Sequence, residues 1–106
     1  MHERSTYLHP WVLVEGEAAN LVAELQREVT QDHPLYGLKV RAIARRCDSD
    51  DVLFALEGIE VAEVHLTWTG RPEVDSTWPT VRLFHTFSEW LRDGMMPDHY
   101  ETWDGK

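Results

Sequence analysis

Cysteine is nearly absent. Cys47 stands alone, so no intrachain disulfide and no thiolate zinc site can form within one chain. Basic residues are scarce, with 10 Lys and Arg against 19 Asp and Glu for a net charge of −9. A chain of that sign is poorly suited to nucleic acid or an anionic membrane, both of which select cationic surfaces. No apolar run approaches the ~20 residues that a membrane helix requires. The opening Met1-His2-Glu3-Arg4-Ser5 lacks the cationic-then-apolar pattern of a secretory leader, and the expected location is the cytoplasm. There is no Gly-rich phosphate loop, no G-x-S-x-G and no H-E-x-x-H. No cofactor is expected.

What is present reads as one α+β domain over residues 1–106. Apolar content of 42% and charged content of 27% are ordinary for a globular protein. From Gly16 to Gln31, apolar residues at Ala18, Leu21, Val22, Leu25 and Val29 repeat with a helical period. Glu17, Glu24, Arg27 and Glu28 fall between them, which predicts an N-terminal helix with one buried stripe. Pro34 ends it and Tyr36-Gly37 turns the chain.

Three β-rich runs then follow: Leu38 to Arg46, Val52 to Leu56 and Ile59 to Trp68, separated by Cys47-Asp48-Ser49-Asp50-Asp51 and by Glu57-Gly58. Turn residues between short apolar runs predict an antiparallel meander. In the first run Leu38, Val40, Ala42 and Ala44 share a face. In the third, Ala62, Val64, Leu66 and Trp68 form the better inward set. A polar loop over 69–79 precedes a fourth strand from Thr80 to His85. Residues 10–14 are a candidate fifth strand.

Thr86-Phe87-Ser88-Glu89 matches a capping box, and Gly94 is expected to close a short C-terminal helix. Residues 1–9 and 95–106 are read as arms, docked or disordered.

Two stretches carry a resemblance. One is Leu35-Tyr36-Gly37 with Val40-Arg41-Ala42-Ile43-Ala44-Arg45-Arg46 and Asp50-Asp51-Val52-Leu53-Phe54. The other is Val64-His65-Leu66-Thr67-Trp68, continuing through Glu73, Trp78-Pro79, Phe84, Ser88-Glu89-Trp90 and Pro97-Asp98-His99. Together these resemble a group of small, stand-alone, uncharacterised bacterial proteins, over roughly the last two-thirds of the chain. The resemblance implies a bacterial cytoplasmic domain and no activity.

Two function classes remain open. Asp48, Asp50, Asp51, Glu57, Glu60 and Glu63 fall in one stretch without a Lys or Arg. With Trp78 as an aromatic anchor, Asp48, Asp50, Asp51, Glu57 and Glu60 could dock a basic protein partner. That would make the chain a non-enzymatic acidic module, such as an immunity-type inhibitor of a toxin. The plainer reading is a turn with solvated strand ends.

The second class is a small metal-dependent enzyme. If the third and fourth strands return around Asp75, His65 and His85 face each other with Glu63 beside them, a two-His, one-carboxylate set. A calcium loop is excluded, because Val52 and Ile59 occupy ligand positions.

Cys47 beside Arg45 and Arg46 could be an activated thiol, though a lone cysteine at a turn is usually inert. The basic row Lys39, Arg41 and Arg45 is explained by cross-strand pairing. Five Trp are present: Trp68 and Trp90 are assigned to the core, Trp78 to core or interface, and Trp11 and Trp103 lie near the termini. Exposed aromatics could also close a homodimer.

Overall fold

The computed structural model describes residues 6–73, 75 and 77–102; the ends of both expected arms, Trp103 among them, lie outside that range. Five strands form one antiparallel sheet in sequence order: β1 (Trp11–Leu13), β2 (Val40–Arg46), β3 (Asp51–Leu56), β4 (Val61–His65) and β5 (Thr80–Phe84). The fifth strand is therefore β1, paired Trp11 to Arg46 along the free edge of β2. Central β3 is apolar almost throughout because both faces of the sheet are covered.

Helix α1 (Ala18–Glu28) lies on one face. Its Leu21 and Leu25 pack with Ala42, Val52, Phe54, Ala62, Val64 and Leu66. It is 11 residues long, shorter than the periodicity predicts, because Val29 already adopts an extended backbone. The chain then turns through His33, whose Nδ1 accepts from Leu35 N–H at 3.0 Å while Nε2 meets the Pro79 carbonyl at 2.7 Å. That buried imidazole ties the segment after α1 to the entrance of β5.

The opposite face carries a continuous helical run from Phe87 to Thr102. It comprises α2 (Phe87–Trp90), a wide turn at Leu91–Met95 with π-type hydrogen bonding, and α3 (Met96–Thr102). Thr86 Oγ1 caps it by accepting from Glu89 N–H at 3.0 Å. The Glu89 carboxylate reaches back to His85 N–H at 3.1 Å. Gly94 does not close the helix as expected; it sits inside the π-type turn, where its missing Cβ makes room for the Trp90 indole. Trp90, Trp11, Tyr7 and Phe87 form an aromatic cluster there, with Trp11 and Trp90 edge to face at 4.9 Å.

The alternation expected for the first meander strand fails at one point. Ala42 pairs with Phe54 but Ala44 pairs with Leu53, so Ile43 is an extra residue. That β-bulge moves Ala44 to the second face: Ala42 packs beneath α1 and Ala44 beneath the C-terminal helix.

Candidate binding surface and the carboxyl pair beneath it

The acidic residues singled out in the sequence divide between the two ends of β3. Asp48, Asp50 and Asp51 are at its start and Glu57 and Glu60 beyond its end, on the order of 16 Å apart at about 3.3 Å per residue. Asp48 is tied up with Arg46 at 2.8 Å, which holds its carboxyl below the usual range. Asp51 accepts from Ser49 Oγ at 2.7 Å and meets His65 Nδ1 at 3.1 Å. Asp50 is exposed. At the far end Glu57 and Glu60 flank Ile59, which is 73% exposed. They border a cavity of about 670 Å³ that Lys39 and Arg41 also line, so that end is of mixed charge.

The metal arrangement does not assemble. Glu63 and His65 do share a sheet face, but β4 pairs with β5 so that Thr80 stands opposite His65 and Phe84 opposite Val61. His85 is thus displaced by five residues from the expected position and faces Glu89 at 3.5 Å, almost fully exposed. Glu63 turns inward to accept from Trp90 Nε1 at 3.0 Å. Among the described residues no three His, Cys, Asp or Glu side chains converge to hold a metal ion.

Cys47 is exposed, and its Sγ lies 3.8 Å from His9 Nδ1. That neighbour comes from the strand-1 side of the sheet and was invisible to local sequence reading.

The Asp50 end carries the more unusual structure. Leu66 N–H donates to the Asp50 carbonyl at 3.1 Å, so the exit of β4 lies beside the β2–β3 turn. Trp68, expected in the core, is 46% exposed and takes φ of +60°. That region is disfavoured for a bulky side chain. Trp78, on the other side of the same loop, is 43% exposed.

What holds Trp68 in place is a pair of acids on α1. Glu28 Oε1 accepts from Thr67 N–H at 2.9 Å and Glu28 Oε2 from Trp68 N–H at 2.7 Å. Glu24 Oε2 accepts from Gly70 N–H at 2.9 Å, while Glu24 Oε1 takes Arg27 Nε and Nη2 at 3.1 and 2.8 Å. Both acids are buried, at 2% and 0% exposure, and each carboxyl shifts the titration of the other. The Glu28 carbonyl also receives Glu73 N–H at 3.0 Å. The Glu73 carboxylate closes the loop on the Thr67 and Thr69 hydroxyls.

Burial, then the Glu24 carboxyl, pushes Glu28 up to about 7, against the pull of the Thr67 and Trp68 N–H groups. Burial also acts upward on Glu24, but the Glu28 carboxyl and the hydrogen bonds from Gly70 N–H and Arg27 outweigh it and leave Glu24 below its ordinary value. The helix positions of these acids carry the signal that was missed: 21, 24, 25 and 28 follow the i, i+3, i+4, i+7 spacing of one helix face.

No protein-family model, no curated protein and no solved structure matches this chain.

Proposed function

We propose that this chain is a non-enzymatic protein-binding module that docks a basic partner through the Asp50–Trp68–Trp78 end of its sheet, as an immunity-type inhibitor docks a toxin. The observation that carries the reading is Trp68. A large aromatic ring is left half in solvent on a backbone conformation that costs free energy, and two buried carboxylates are spent on fixing that loop. Backbone strain held by surrounding structure clusters at functional sites, and Trp is among the residue types enriched as interface anchors. The net charge of −9 would speed encounter with a cationic surface and reject acidic competitors.

Affinity capture from bacterial lysate tests this, using the wild-type chain, Trp68→Ala and Asp50→Lys at low and high salt. The expected result is a basic protein retained by the wild type at low salt, released at high salt, and lost by both variants. Retention of the same proteins by all three chains overturns the reading.

A further inference from the structure

We propose that Glu24 and Glu28 form a proton-dependent clasp: while the two carboxyls share one proton they hold residues 67–73 against α1 and present Trp68, and loss of that proton releases the loop and weakens docking. The clasp itself stands on geometry; its effect on docking rests on the binding role proposed above.

The two acids lie one helical turn apart on the same face of α1, both inaccessible to solvent, and bind neighbouring N–H groups of one loop. Two carboxylates sharing a buried site cannot both ionise without strong repulsion, so one proton is retained well above the ordinary Glu range. The surrounding charges do not remove that need. From α1, Arg27 bonds Glu24 alone. From the loop, Glu73 adds a further negative charge whose carboxylate is occupied by the Thr67 and Thr69 hydroxyls, and the Arg71 carbonyl accepts from Thr69. From the segment after α1, His33 is engaged with Pro79 and Leu35. At the end of β4, His65 faces Asp51. Three of the loop's backbone N–H groups, at Thr67, Trp68 and Gly70, end on these two carboxyls, and a fourth, at Glu73, ends on the Glu28 carbonyl.

The direction of the pH effect follows from the two carboxyls. Glu28 is raised to about 7, so its contribution is fully present below the unfolded Glu value and is lost as pH rises through 7. Glu24 is lowered, so its contribution is lost only when pH falls through its own low value. The clasp is therefore tightest near the ordinary Glu value and loosens progressively as pH rises from there to 7.

Amide hydrogen exchange by NMR on the full chain tests it, read as protection factors for Thr67, Trp68 and Gly70 from about pH 4 to 8. One linked proton predicts protection falling by up to about tenfold per pH unit between the ordinary Glu value and 7 and levelling off above it, and a flat profile in Glu28→Gln, which cannot ionise. A flat wild-type profile, or an equal slope in Glu28→Gln, overturns the clasp. Should Glu28→Gln not fold, the side-chain carbon-13 titration of Glu28 in the wild type decides. A midpoint in the ordinary Glu range overturns the proposal, and one near 7 supports it.

Partner capture repeated across the same pH range keeps the two ideas apart. Protection that falls while capture ignores pH overturns the link to docking. An error in the docking assignment shows separately, as capture indifferent to Trp68→Ala.

Discussion

The Trp90 indole N–H donates to Glu63 Oε1 at 3.0 Å, so a fully buried ring of the aromatic cluster is fixed by an acid from the sheet. Glu63 sits mostly out of water, with Arg82 at 3.7 Å as its nearest cation. Burial raises its carboxyl above the ordinary value, against the Trp90 hydrogen bond and Arg82. A raised carboxyl contributes stability below the unfolded Glu value and loses it as pH rises through the folded one. Glu63→Gln, which keeps an acceptor for the indole but carries no charge, should be at least as stable as the wild type at pH 8. Glu63→Ala strands the indole N–H and should cost about 1–3 kcal/mol. Urea denaturation of the three proteins checks the order. If Glu63→Ala matched Glu63→Gln, the hydrogen bond would have no role in stability.

The same ring dictates Gly94. A Cβ at that position would come within 2.5 Å of Trp90 Cδ1 and 2.7 Å of Nε1. In an open helix Gly→Ala stabilises by about 1 kcal/mol. Here overpacking should reverse the sign, and Gly94→Ala should lower stability by about 1–3 kcal/mol. Thermal denaturation with near-ultraviolet circular dichroism reads both the loss and the disturbed Trp90 environment. A stabilised Gly94→Ala would mean that the indole has room to move aside.

Tyr7 offers a change in the opposite direction. Its ring is buried against Phe87 and Trp90, and its hydroxyl has no hydrogen-bond partner among the described residues. Burial accordingly pushes the phenol up to about 12. A stranded buried hydroxyl costs about 1–3 kcal/mol, so Tyr7→Phe should gain about 1 kcal/mol with the ring contacts kept. A less stable Tyr7→Phe in the same denaturation series would show that the hydroxyl is satisfied in solution.

These sites also mark how far the sequence could be read. The meander was legible because its strands are separated by turn residues and carry β-rich apolar runs. Both helix starts were close for similar local reasons. Gly94 was misread because a glycine after two turns of amphipathic pattern signals a cap unless one knows that Trp90 folds over it. Ile43 could not announce a bulge, since Val40 to Ala44 is apolar enough to satisfy either register. His65 and His85 were brought together by assuming where the loop turns, and the pairing of Thr80 with His65 is fixed by long-range packing. Trp68 was assigned inward by alternation, but β4 ends at His65 and the alternation ends with it. Glu24 and Glu28 were treated as the solvent side on charge alone, although their spacing places them with Leu21 and Leu25. A polar residue at an apolar position of the helical period was the available clue, and it led to the candidate site.

Trp68 separates folding from function most directly. Its φ of +60° costs an L residue about 1–2 kcal/mol, a penalty glycine escapes at the expense of roughly 0.5–1 kcal/mol of unfolded-chain entropy. Trp68→Ala and Trp68→Gly both remove the ring and keep the N–H that donates to Glu28. Glycine should nonetheless be the more stable of the two by about 0.5–1 kcal/mol, while neither captures the partner. That combination would assign the ring to binding and the loop geometry to Glu28. If alanine proved the more stable, the left-handed conformation would not persist in solution, and the clasp would have nothing strained to hold. If glycine were more stable but still captured the partner, the loop would stand as described and the docking anchor would have to be sought at Trp78 and Asp50 instead.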